Sequence, residues 1–328
     1  MDSVTREKAR PLSMSDLGLT VGRSSPSSSP TPLEPAPVKA IERLPETDPL
    51  LLEVRAAIAM GYSGVIFAGP PGTGKSWSAK RIAYTIAADE DAVRIIQFHA
   101  SYQYEDFMEG FTPKDGGGFE LQKKVFALLC VEAAERPSLT HVLLIDEISR
   151  CDVARVFGEA LTYLETDKRD EEFILASGSV LTIPSNLIIL ATMNPWDKGV
   201  DELDVALERR FAQIDIPPSS TVLRSILEEK GADSSLIDRL IVFFEAVQNQ
   251  KDEMVHIGHA YLASCTDEES TRRTWLYRLL PFFRKACRLD DDMLATIKKH
   301  WLKVIPENTA AAATAATAAE PGEPDAQA

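Results

Sequence analysis

Cysteine is scarce in this chain and nowhere paired. Only Cys130, Cys151, Cys265 and Cys287 occur among its 328 residues, with no CxxC spacing. Neither a disulfide framework nor a zinc knot is expected, and reduced, partly buried thiols are. Long apolar runs are missing too. None approaches the roughly 18 residues of a membrane span. The opening Met1–Thr20 stretch carries Arg6, Lys8 and Arg10, but no apolar core of a signal peptide follows it. A cytoplasmic location without membrane contact is the expectation. Positive charge is in deficit: 35 Lys and Arg stand against 50 Asp and Glu, a net charge of −15. That leaves no polybasic membrane anchor and no basic footprint for coating duplex nucleic acid, although a local basic groove stays compatible with it. There are no internal repeats.

What is present is ordinary for a folded protein, 45% hydrophobic and 26% charged residues. Two ends depart from this. Residues 24–37 read SSPSSSPTPLEPAP, and the chain after Pro306 is an Ala/Thr tract closed by Pro, Gly and acids. Both have little to bury, so residues 1–40 and 306–328 are expected to be disordered tails. Between them strands alternate with helices. Strands are expected at Val65–Ala68, Val93–Phe98, His141–Ile145, Leu187–Ala191 and Ala212–Ile216. Helical spacing appears at Ser76–Ala88, Leu121–Ala134, Val153–Leu164 and Asp201–Leu207, and Phe173–Ile183 alternates as a hairpin turning at Ser177-Gly178. Buried strands separated by helices predict a parallel α/β sheet covered on both faces, here over residues 41–217. After Pro217-Pro218, Val222–Glu229, Ser235–Val247, Arg272–Arg284 and Asp291–Val304 are all helical in spacing. Residues 218–305 are therefore expected to form a small all-α domain.

The chemistry concentrates at strand ends. Gly69-Pro70-Pro71-Gly72-Thr73-Gly74-Lys75-Ser76 fits G-x-x-x-x-G-K-[ST] and lies between a buried strand and a helix. Backbone N–H groups of such a loop can surround phosphate oxygens at a helix N-terminus, with Lys75 reaching the β- and γ-phosphates and Ser76 ligating Mg²⁺. Val142-Leu143-Leu144-Ile145-Asp146-Glu147 brings two acids out at the end of a second buried strand, where open α/β sheets bind ligands. Asp146 can hold Mg²⁺ through water, and Glu147 can orient and deprotonate an attacking water. Asn194 follows another buried strand and is expected beside Glu147 to position water or the γ-phosphate. Arg209 and Arg210 follow the short helix. Either one can serve a neighbouring subunit as an arginine finger, against a plainer reading as solvated cations at a helix C-terminus. Smaller features read structurally: His256-x-x-His259 lacks a third metal ligand, Trp77 packs on its helix, and Tyr102, Tyr104 and Phe107 pack around the second strand rather than lining a pore.

These elements, in this order, resemble the AAA+ ATPases, a P-loop NTPase fold with a helical lid. Residues 97–111, QFHASYQYEDFMEGF, are similar to a segment of McrB-type proteins, the motor subunits of modification-dependent restriction systems. Gly117-Gly118-Phe119, Asp146–Arg150, Val156–Leu161, Ile257-Gly258-His259-Ala260-Tyr261 and Trp275…Leu280-Pro281 fit the same pattern, which covers roughly Glu46 to Lys303. The resemblance implies Mg²⁺-dependent hydrolysis in a ring, a homo-hexamer, coupled to remodelling or translocation with a partner such as a nuclease. DNA would be handled only through that partner or the ring pore. Met193-Asn194-Pro195-Trp196-Asp197 departs from the Met-Asn-Thr-Ala-Asp of the type, so the GTP use of that group does not carry over directly. ATP is the expected nucleotide and GTP the alternative. A MoxR-like chaperone that matures a client protein is the competing reading, in keeping with the acidic charge and with a leading segment of about forty residues that does not read as a DNA-recognition domain. An ABC-type transporter is disfavoured, because no LSGGQ-like segment precedes Asp146.

Overall fold

The computed structural model describes residues 42–87, 89–195 and 205–305. The two tails, and residues 201–204 of the helix expected at Asp201–Leu207, lie outside the described residues. Among the described residues there are nine strands: β1 Gly64–Ala68, β2 Val93–Gln97, β3 Glu109–Pro113, β4 Phe119–Lys123, β5 His141–Asp146, β6 Glu172–Ile174, β7 Val180–Thr182, β8 Leu187–Met193 and β9 Phe211–Asp215. Five of them form one sheet in the order β2-β5-β8-β1-β9. Every pairing in that sheet is parallel.

Period-two alternation builds the two layers that cover it. Val65, Phe67, Val142, Leu144 and Leu190 share a core with Leu51, Val54, Ile82 and Ala83 of the helices Pro49–Ala59 and Lys75–Ala87. The intervening residues Ile66, Leu143, Ile145 and Ile189 turn to the other side. There they meet Phe107, Phe126 and Phe157, whose rings stack or cross edge-on within 4.8–5.6 Å. A third core, around Phe243, Phe283 and Trp301, belongs to the helices after β9. The α/β sheet with a helical region following it is the expected fold class. All four cysteines are free and buried. Among the described residues no helix is long and apolar enough to cross a membrane.

Three expected helices differ. The helix expected at Leu121–Ala134 is shorter, Val125–Glu135, because Leu121 lies in β4. There a hairpin turns through Gly116, Gly117 and Gly118, each with φ between 87° and 98°, and glycine accepts those angles without a Cβ clash. The expected Val153–Leu164 helix breaks at Gly158 into Val153–Phe157 and Ala160–Tyr163. A Cβ at Gly158 would lie 2.8 Å from the Tyr104 ring. The expected Arg272–Arg284 helix contains a π-turn at Trp275–Leu279 between Glu268–Thr274 and Leu280–Ala286. Pro281 has no N–H for the ladder at that point, which explains the local widening.

Candidate phosphate-binding site

β1 is buried throughout and delivers the chain to a loop with positive φ at Gly69, Gly72 and Gly74, after which Lys75 opens a helix. The loop is held internally. Thr73 Oγ1 donates to the Pro70 carbonyl at 3.1 Å, and Lys75 Nζ donates to the Gly69 and Pro70 carbonyls at 2.8 Å each. The lysine therefore lies along the inside of the loop. Ser76 Oγ donates to Asp146 Oδ1 at 2.6 Å, which ties the loop helix to the end of β5.

The neighbouring strand completes this junction. Thr192 of β8 donates to the same Asp146 oxygen at 2.5 Å and accepts the Glu147 N–H at 3.1 Å. Glu147 sits in the left-handed region, φ 58° and ψ 49°, with Arg150 Nε 3.5 Å from its Oε2. Asn194, buried, follows the end of β8. Lys75, Ser76, Glu147 and Asn194 line one cleft of about 540 Å³. Its opposite wall comes from the helical region and includes Met254, Tyr261, Phe282 and Lys285. Thr192 carries no distinguishing mark in the sequence. Its one signal is a hydroxyl inside an otherwise apolar strand, and only the β5–β8 pairing shows what that hydroxyl meets.

Arg209 and Arg210 are not brought to this cleft. β9 starts at Phe211 opposite Gly64, the first residue of β1, whereas the glycine loop leaves the other end after Ala68. At about 3.3 Å per residue the two ends of β1 stand roughly 13 Å apart. Arg210 is nearly enclosed, its side chain 5% exposed, and Arg209 is 64% exposed. Both Nη2 atoms donate to Glu165 Oε1, at 2.9 Å from Arg209 and 2.6 Å from Arg210. Lys168 donates to Glu165 Oε2 at 2.8 Å. That bond, followed by the charges of Arg210, Lys168 and Arg209, holds the Glu165 carboxyl below its usual range.

Of the smaller features, Phe107 is fully buried, and Tyr102 and Tyr104 pack against the same core. Burial raises both tyrosine hydroxyls to about 12. The described residues hold no cluster of three or more His, Cys, Asp or Glu that could bind a metal ion, and His256 Nε2 meets the Gln250 carbonyl at 3.0 Å. Trp77 packs on Arg81 of its own helix, as expected, and also borders the cleft. It is 63% exposed and carries the Arg81 guanidinium 4.5 Å above its ring.

A parallel sheet with a glycine loop after its β1 strand, an acid pair at the end of β5, and β8 between the two defines a P-loop nucleoside triphosphatase fold. Residues 64–211 match the family described as "AAA domain (dynein-related subfamily)". The chain is 32% identical over 234 residues to the "Type IV methyl-directed restriction enzyme EcoKMcrB subunit" of Escherichia coli K12, covering 66% of this chain and 51% of that protein. It is 28% identical over 188 residues to the "Type II restriction enzyme BsuMI component YdiS" of Bacillus subtilis 168, covering 45% and 55%. The crystal structure of a candidate ATPase from Cytophaga hutchinsonii aligns with a TM-score of 0.34 at 16% identity, over 76% of this chain and 88% of that one, a likeness too low to carry weight. Residues 64–211 therefore carry an AAA domain, and the two relatives support a McrB-type AAA+ ATPase. It spans about half the length of the curated relatives it matches.

Proposed function

We propose that this chain is a Mg²⁺-dependent nucleoside triphosphatase, with ATP as its nucleotide and GTP as the alternative. It works in a ring of identical subunits, a hexamer, and drives a partner protein. The observation that carries the reading is the Ser76–Asp146 bond of 2.6 Å, made in the cleft that Lys75, Glu147 and Asn194 also line. The N–H groups of Gly69–Ser76 hold the phosphates, and Lys75 swings from the loop carbonyls to the β- and γ-oxygens.

The donors at Ser76 and Asp146 are hard oxygens, few in number, which suits Mg²⁺ shared with phosphates and water. Bound there, Mg²⁺ would neutralise charge on the phosphate oxygens. Glu147 accepts a proton from the attacking water, and Asn194 orients that water or the γ-phosphate. Arg209 faces solvent at the far end of β1, so it serves the cleft of an adjacent subunit, while enclosed Arg210 anchors it through Glu165. Two relatives are named as components of restriction enzymes. This favours a nuclease partner over a chaperone client, with DNA reached through that partner or the ring pore.

The test is phosphate release under saturating nucleotide with Mg²⁺. Glu147→Gln should lower kcat about 100-fold or more, because general-base catalysis contributes ~10²–10⁴, while nucleotide affinity stays within a few-fold. Full turnover in that variant would remove Glu147 from its role.

A further inference from the structure

The carbonyl side of the glycine loop is taken up by the helical region. Gly258 N donates to the Pro71 carbonyl and Ala260 N to the Gly72 carbonyl, both at 2.9 Å. The two backbones touch. A Cβ at Gly258 would stand 1.9 Å from the Gly72 carbonyl carbon and 2.2 Å from Thr73 N, so only glycine fits there. Beside this pairing the Tyr261 ring lies on Gly72, where a Cβ would meet it at 2.8 Å. Arg278 holds that ring from the other side. Its guanidinium is 4.6 Å from the ring centroid, and its Nη1 donates to the Ala260 carbonyl at 3.3 Å. Phe282 closes the cluster, 5.4 Å from Tyr261 between centroids. Arg278 projects from the π-turn Trp275–Leu279, a helical irregularity of the kind that gathers at functional sites.

In a planar trans peptide the N–H points opposite to the C=O of the same unit. Fixing the Pro71 and Gly72 carbonyls on the helical region therefore turns the Gly72 and Thr73 N–H groups to the other side of the loop. We infer that Ile257–Tyr261 is a clamp that presets these N–H groups for a triphosphate chain, with Tyr261 and Arg278 as positioning residues. The inference rests on the reading of Gly69–Ser76 as the phosphate loop. It assigns the clamp to phosphate and not to the nucleotide base, although Tyr261 also lines the cleft.

Binding of inorganic tripolyphosphate and of a fluorescent ATP analogue, both with Mg²⁺, tests this on the full chain. Arg278 is exposed, so Arg278→Ala should leave the melting temperature unchanged. It should weaken tripolyphosphate and the nucleotide by the same factor, about three- to tenfold. Arg278→Lys keeps a cation over the ring and should recover part of the loss. Gly258→Ala should lose both ligands more severely, and Arg278→Ala decides the matter if that variant fails to fold. Unchanged tripolyphosphate affinity in Arg278→Ala overturns the clamp, and a loss confined to the nucleotide makes Tyr261 a wall for the base instead. A wild-type chain that binds neither ligand removes the phosphate-loop reading itself.

Discussion

Two adjacent arginines with the same chemistry meet different fates because one is enclosed and the other is not. Arg210 passes its guanidinium to Glu165 from a nearly closed site, and its carbonyl accepts the Ser63 N–H at 2.8 Å. Arg209 shares the carboxylate oxygen while facing solvent. Arg210→Ala removes a buried charge partner, so it should lower stability by about 1–3 kcal/mol in denaturant titration. Arg209→Ala should leave stability within about 0.5 kcal/mol and lower kcat at unchanged nucleotide affinity. Equal effects of the two on stability would contradict this division. The sequence alone could not separate them, since the pair reads identically until burial is known. Thr192 was hidden for a related reason, because its partners Asp146 and Glu147 come from another strand. The glycine loop and the Asp146-Glu147 pair were legible, because each is local: a buried strand followed at once by the candidate site residues.

At the scale of elements, strands with continuous apolar runs were read at nearly their true bounds, and so was the β6–β7 hairpin around Gly178. The β3–β4 hairpin was not. Phe119-Glu120-Leu121-Gln122 does alternate, but Leu121 also falls on the apolar spacing that runs on into Val125–Glu135 and so passed as the start of a helix. Phe111 and Phe119, 72% and 71% exposed, bury no face in the structure. The hairpin's order comes from a distance: buried Glu109 accepts from Ser177 N and Ser177 Oγ at 2.7 Å and from Ser179 Oγ at 3.1 Å, at the turn of the other hairpin.

The Ile257–Tyr261 segment carries a pH dependence. Burial lowers the His259 pKa below its ordinary 6.5, and its Nδ1 is enclosed without a hydrogen-bond partner. A folded pKa below the unfolded one means that the unfolded chain binds the proton more readily, so stability is present above pH 6.5 and lost as the pH falls through the folded value. Thermal melts of wild type and His259→Asn should therefore diverge below about pH 6.5, with the wild type losing more stability. Parallel melting temperatures down to about pH 5.5 would remove His259 as the sensitive group.

On the scale of the whole molecule, the described residues gather most of the candidate site in one cleft and leave the arginine pair outside it. Lys75, Ser76, Glu147 and Asn194 line it, while exposed Arg209 lies toward the opposite end of β1. Under the proposed ring reading a neighbour completes the site, and the net charge of −15 is in keeping with the proposal that DNA is reached through another protein. Mixing two subunits that are each inactive alone tests this most directly. In an assembly of Glu147→Gln with Arg209→Ala, some interfaces pair an intact Glu147 with an intact Arg209, so phosphate release should reappear on mixing and rise with total protein concentration. Two inactive variants that stay inactive when mixed, with assembly confirmed by light scattering, would contradict a site shared between subunits.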